Sequence, residues 1–90
     1  MHKFVIEREF PGAGNLTERE LKAIAQTSND TVKALGVPYH WIETLVVGDK
    51  MYCIHVADDA ETIREHARRA GFPADSVQEV KAVLDPTTAG

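Results

Sequence analysis

The sequence is poor in the features that mark several large classes of protein. It has a single cysteine, Cys53, so an intramolecular disulfide framework is excluded. No apolar run approaches the length of about 18 residues that a membrane-spanning helix needs, and the first residues lack the apolar core of a signal peptide. The net charge is −4, which gives nucleic-acid binding no electrostatic support. We therefore expect a cytoplasmic protein with neither a nucleic-acid nor a membrane partner.

The composition is that of an ordinary globular domain. Of 90 residues, 43% are hydrophobic and 27% are charged, which is typical of a folded chain. This length predicts a single domain over residues 1–90, with residues 86–90 as a polar tail. A domain of this size buries a modest fraction of its surface, and association with a second copy is a common way to bury more.

The most informative stretch is 39–57, which alternates in the manner of two strands joined by a turn at Gly48–Asp49–Lys50. One face of the predicted hairpin is apolar, and we expect it to face the core: Ile42, Thr44, Val46, Ile54 and Val56. The other face carries an unusual mixture for a sheet exposed to water: Tyr39, Trp41, Glu43, Leu45, Cys53 and His55. We expect any functional site on this second face.

Two helices flank the hairpin in sequence. The first begins at Thr17, which has Glu20 three residues later and so predicts a capping box. Its apolar stripe runs from Leu21 to Leu35, and Gly36 ends it. The second is predicted to begin after an Asp58 cap, and the segment AGFP at 70–73 ends it.

Further strands are predicted at 3–10 and, with a less regular alternation, at 76–84. The order β-α-β-β-α-β favours an α+β, ferredoxin-like fold, with a four-stranded antiparallel sheet and two helices on one face. The opposite face is then uncovered and too apolar to stay wet: Val5, Trp41, Leu45, Val47, Met51, Val77 and Val83. Two such sheets packed face to face would form a dimeric α/β barrel, so we expect a homodimer.

The polar residues of the uncovered face suggest a metal site. The first and third strands are neighbours in this fold, which predicts that Glu7 and Glu9 lie beside Cys53 and His55, with Glu43 close by. Carboxylate, imidazole and thiolate donors suit nickel, copper or zinc better than magnesium. The alternative is that the three glutamates pair with nearby cations and that Cys53 is a small buried hydrophobe.

Two further interpretations remain open. His66 lies at the edge of the second helix's apolar stripe, where it could be a ligand or proton donor, or a partly buried histidine bonded to a backbone carbonyl. A cavity could instead bind an organic molecule, as in a monooxygenase-like barrel protein, with His66 or Glu43 as acid or base. We expect such a cavity to be lined by Tyr39, Trp41, Leu45, Met51 and His55.

Three stretches carry a resemblance to a known family: KFVIEREFPGAG at 3–14, MYCIHVADDAETIREHARRAGFPADSV at 51–77 and VLDPTT at 83–88. With them the chain resembles a small bacterial family of ferredoxin-like proteins, grouped as a domain of unknown function and nickel-binding or nickel-responsive in its best-described type. The resemblance implies a homodimeric α+β barrel, with nickel bound by some members of the family. Its recurring phrases contain the possible donors Glu7, Glu9, Cys53 and His66.

Together these patterns predict a cytoplasmic homodimer that binds a divalent metal, with Ni²⁺ first, for sequestration or sensing rather than catalysis. The expected metal ligands are Glu7, Glu9, Glu43, Cys53 and, at the margin, His66. The hairpin register is the weak point of this arrangement, because a shift of one residue would exchange the two faces.

Overall fold

The structure is a computed structural model that describes residues 1–90 and contains one four-stranded antiparallel sheet with two α helices. Its strands and helices are β1 (His2–Glu9), α1 (Glu18–Leu35), β2 (Tyr39–Val46), β3 (Lys50–Ala57), α2 (Ala60–Ala70) and β4 (Ser76–Glu79). The strands lie in the order β2-β3-β1-β4. This arrangement confirms the predicted ferredoxin-like α+β fold. Neither helix is long and apolar enough to cross a bilayer.

The helix ends follow local hydrogen bonding. The predicted capping box is confirmed: Thr17 Oγ1 accepts from the Glu20 N–H at 3.2 Å, and the Glu20 carboxylate accepts from the Thr17 N–H at 3.0 Å. Gly36 ends α1 in the left-handed region with φ 65°, where glycine has no steric penalty. The cap of α2 is Asp59, not Asp58, because the Asp59 carboxylate accepts from the Thr62 N–H at 2.8 Å.

The core lies between the two helices and the sheet. Its buried members are Phe4, Ile6, Tyr39, Cys53, Ala57 and Ile63. The central pair of strands aligns Ile6 with Cys53 and Phe4 with His55, so these four side chains share one face. That face is the one covered by the helices, and we call the other the open face.

The predicted assignment of the β3 faces is wrong. Cys53 and His55 are 4% and 1% exposed and point to the helices, as does Met51. Ile54 and Val56, which were expected in the core, alternate with them and therefore lie on the open face. Both faces of β3 are apolar enough for burial, so the sequence of β3 alone does not show which face meets the helices. The pairing with β1 determines it, because Cys53 and His55 align with Ile6 and Phe4.

A β-bulge in β2 changes the alternation within that strand. The register shifts between Trp41 and Glu43, which leaves Ile42 as the extra residue. Trp41 and Thr44 consequently lie on the same side of the sheet, and Trp41 Nε1 donates to Thr44 Oγ1 at 2.9 Å. The expectation that Trp41 belongs to the open face is therefore wrong, whereas Glu43 and Leu45 do lie there.

The last strand is shorter than predicted. β4 ends at Glu79, and Val77 faces the core because it is paired with Ile6. Val77 was expected on the open face, so that placement is corrected as well. Beyond Glu79 the chain has no regular secondary structure until a 3₁₀ helix at Pro86–Ala89. Val83 and Leu84, within this segment, are 68% and 80% exposed. No other part of a single chain shields these two side chains from solvent.

The contact between α2 and the sheet predicts a large effect of trimming one core residue. Ile63 is fully buried, so Ile63→Ala should lower the free energy of unfolding by about 3 kcal/mol through lost burial and a residual cavity. Urea denaturation followed by circular dichroism measures this. Val37→Ala, at a loop position 48% exposed, is the control and should change it by less than about 0.5 kcal/mol. Equal effects of the two substitutions would contradict the assigned core.

Candidate functional site

A cavity lies between the covered face of the sheet and the first half of α1. Its volume is about 170 Å³. Most of its walls are apolar, but five polar side chains reach it: Arg8, Ser28, Thr44, Cys53 and His55. The remaining lining residues are Phe10, Leu21, Ile24, Ala25, Trp41, Val46, Met51 and Phe72. The alternation of β1 and β3, the bulge of β2 and the stripe of α1 together bring these residues to one place.

A chain of hydrogen bonds runs along one wall of the cavity. Trp41 Nε1 donates to Thr44 Oγ1, and Thr44 Oγ1 donates to Cys53 Sγ at 3.1 Å. Arg8 Nε donates to the same sulfur at 3.3 Å. Cys53 thus accepts from two donors, one of them charged. It is a fixed polar centre rather than a simple hydrophobic filler.

Arg8 is the most unusual residue of the site. It is 3% exposed, and a buried cation is costly unless it is paired. Its other contacts are a hydrogen bond from Nη1 to the Pro73 carbonyl and an approach of 5.7 Å between its guanidinium carbon and the Phe72 ring centre. No carboxylate forms a salt bridge with it. The segment after α2 therefore holds the guanidinium in place but leaves its charge without an anion.

Next to this wall lies a cluster of three aromatic side chains, Tyr39, His55 and His66. The Tyr39 hydroxyl and His55 Nδ1 are 2.5 Å apart, and the Tyr39 and His66 rings stack with centres 5.0 Å apart. Burial, followed by repulsion from the protonated form of His66 and from the Arg8 cation, lowers the pKa of His55 to about 3. Burial also raises the pKa of Tyr39 above its ordinary value. The cluster is therefore neutral at physiological pH.

His66 is fully buried. Its Nε2 lies 3.3 Å from Ser28 Oγ and 3.4 Å from the Ser28 carbonyl oxygen. Its Nδ1 has no hydrogen-bond partner in the chain. Burial lowers the pKa of His66, partly opposed by the hydrogen bond to Ser28. The predicted alternative, a partly buried histidine bonded to a backbone carbonyl, agrees with the approach to the Ser28 carbonyl, but the side chain is more buried than expected.

The carboxylates expected to join Cys53 lie on the open face instead. Glu7 Oε1 is 2.6 Å from Lys50 Nζ, and Glu9 Oε1 is 3.4 Å from it. The hydrogen bonds to Glu7 and then Glu9 raise the pKa of Lys50. Glu43 is also on the open face, aligned with Ile54. The expectation that Glu7, Glu9 and Glu43 lie next to Cys53 and His55 is therefore wrong, because the sheet separates them.

The five expected metal donors accordingly fall into two sets. Glu7, Glu9 and Glu43 are accessible from the open face, while Cys53 and His66 lie in the interior. No group of three or more His, Cys, Asp or Glu side chains within one chain is arranged to hold a metal ion.

The residues expected to line a cavity are also divided. Trp41, Met51 and His55 do line the cavity under α1, and Tyr39 lies beside it in the core. Leu45 is 53% exposed on the open face. Arg8 was missed because a charged residue in a strand is normally assigned to solvent. Its position two residues after Ile6 was the available signal, since residues at i and i+2 share a face.

The geometry defines a ferredoxin-like domain with a mainly apolar cavity that a few polar side chains reach, and comparisons with known proteins identify its relatives. The model of the SCO4226-like family, described as nickel responsive proteins, matches residues 4–80. The chain belongs to this family. The crystal structure of SCO4226 from Streptomyces coelicolor A3(2) superimposes with a TM-score of 0.77 over 91% of this chain and 99% of that one, at 21% identity. No curated protein matches the sequence.

The two buried histidines predict that stability decreases in mild acid. Their pKa values are lowered in the fold, so stability is fully present above the unfolded value of about 6.5 and is lost as pH falls towards the folded value. Between pH 6.5 and 5.5, His55 alone should cost about 1 kcal/mol, and His66 should add to that loss. Urea denaturation across this range measures it.

His66→Gln should reduce this pH dependence, because the variant has one proton fewer to take up on unfolding. His40→Gln, at an exposed position, is the matched control and should leave the dependence unchanged. A wild-type stability that stays constant from pH 6.5 to 5.5 would contradict the assignment of neutral buried imidazoles.

Proposed function

We propose that the protein binds Ni²⁺ as a cytoplasmic homodimer and serves in sequestration or sensing of the metal. Membership of the nickel-responsive family is the single observation that carries this proposal. Within the chain, the distribution of donor side chains and of apolar surface supports it.

The donors that nickel could reach lie on the open face. Imidazole nitrogen and carboxylate oxygen both suit Ni²⁺. His40 and Glu43 are consecutive outward-facing residues of β2, because the bulge inserts Ile42 between the inward Trp41 and Glu43. Glu7 and Glu9 follow on the neighbouring part of the sheet, where Lys50 now neutralises them.

A single chain does not assemble enough of these donors at one point, so we propose that two subunits complete the site. The open face supports such an association. It carries Val5, Leu45, Tyr52, Ile54 and Val56, none of which the helices cover. An apolar sheet face of this kind is a usual protein interface. Packing two open faces together would place the polar side chains of both subunits at one interface.

Calorimetric titration of the metal-stripped protein with NiCl₂ tests the metal assignment. We expect micromolar or tighter binding that weakens at least about tenfold in His40→Ala or Glu43→Gln, as is usual when a metal ligand is lost. The double substitution of Glu7 and Glu9 by Gln should weaken binding to a similar extent.

Two variants serve as controls in this titration. Glu61→Gln removes an exposed carboxylate of α2, and Cys53→Ser alters the interior only; both should keep the affinity within about twofold of wild type. Millimolar binding by the wild-type protein, or loss of binding only on replacing His2, would refute the proposal. A large loss in Cys53→Ser alone would instead move the site to the interior.

A separate measurement tests the dimer. Ile54 lies at the centre of the open face, between Val5 of β1 and Glu43 of β2. Ile54→Arg should convert the protein to a monomer in multi-angle light scattering and reduce nickel affinity at the same time, because a buried unpaired charge opposes association. Val37→Arg, outside the sheet, should remain dimeric. A wild-type monomer that binds nickel with micromolar affinity would contradict the shared site.

A further inference from the structure

We propose that the cavity under α1 binds a small organic anion with an apolar body, of about the size of benzoate. This inference concerns the covered face of the sheet and is independent of the nickel site proposed on the open face. It follows from the charge, the volume and the rigidity of the cavity.

The charge comes from Arg8. It is the one cation that lines the cavity, it is 97% removed from solvent, and it has no acidic partner. Its Nε and Nη1 are engaged by Cys53 and Pro73, whereas Nη2 donates to no group of the chain. A guanidinium with a free donor in an apolar setting binds a carboxylate through charge-assisted hydrogen bonds. No carboxylate pairs with this charge, and the neighbouring His55 and His66 cannot compensate it because a histidine is either neutral or positive.

The volume of the cavity and its apolar walls determine the size and character of the ligand's uncharged part. An apolar protein cavity of about 150 Å³ holds a benzene molecule, so about 170 Å³ accommodates one ring with a small substituent. Trp41, Phe10 and Ile24 provide apolar contacts for such a ring. Leu21 and Val46 also line the cavity and are 36% and 39% exposed, which places an opening between α1 and β2.

The polar wall is positioned before any ligand arrives. The sulfur of Cys53 holds both the Arg8 and the Thr44 side chains, and Trp41 fixes the Thr44 hydroxyl from the other side. Side chains that are already ordered lose little conformational entropy on binding, which favours affinity for a small ligand.

Titration of the metal-free protein with benzoate and with its neutral counterpart benzyl alcohol tests the proposal, using calorimetry and chemical shifts of the Trp41 indole. We expect a dissociation constant below about 1 mM for benzoate and binding at least about tenfold weaker for benzyl alcohol. Arg8→Met should abolish this preference, so that both compounds bind within about threefold of each other.

A second pair of variants tests the proposal without changing Arg8, and so applies even if Arg8→Met does not fold. Ala25→Leu fills the cavity from α1 and should weaken both compounds at least about tenfold, whereas Ala23→Leu, the same change at an exposed position of that helix, should have no effect. Benzoate that binds no better than benzyl alcohol, unchanged binding in Ala25→Leu, or no binding at 10 mM would each overturn the proposal. His40→Ala should bind benzoate with the wild-type affinity, because His40 belongs to the proposed nickel site and not to the cavity. Failure of the nickel proposal can therefore be distinguished from failure of this one.

Discussion

The register between β1 and β3 is the constraint on which the rest of the structure depends. Aligning Ile6 with Cys53 sends Phe4, Arg8 and His55 to the helices and leaves Glu7 on the open face. Because side chains alternate with a period of two, no residue of either strand could change face alone. The interior polar wall and the exterior carboxylates are thus two results of one pairing. Their separation by the thickness of the sheet is the reason that they cannot form a single site.

The element order and most element bounds could be predicted from the sequence, because caps, glycines and apolar periods act locally. The capping box at Thr17 and the glycine at Gly36 are such signals. The faces of β3 could not be assigned in this way. Ile54 and Val56 look more like core than Cys53 and His55 do, and only the long-range pairing with β1 places the latter inside. The bulge at Ile42 also leaves no signal in the local sequence, because it is defined by the pairing of β2 with β3. Since the candidate site depends on both, its residues could be named individually but not grouped correctly.

The interior of this small domain contains polar groups whose burial is energetically unfavourable. A buried guanidinium and two neutral imidazoles occupy positions that aliphatic side chains could fill at lower cost in desolvation. Hydrogen bonds to Cys53, Ser28 and Tyr39 compensate much of that cost, and all of these partners come from different elements. A core selected for stability alone would be apolar. The polar groups retained around the cavity therefore favour recognition of a ligand as their purpose.

The bulge in β2 determines how this strand responds to a change in its length. It absorbs Ile42 as an extra residue, so that Trp41, Thr44 and Val46 face inward while Glu43 and Leu45 face outward. Loss of the single codon for Ile42 would remove the bulge and restore regular alternation, with Glu43 still outward and Thr44 still inward. The strand can therefore lose one residue at this point without exchanging its two faces.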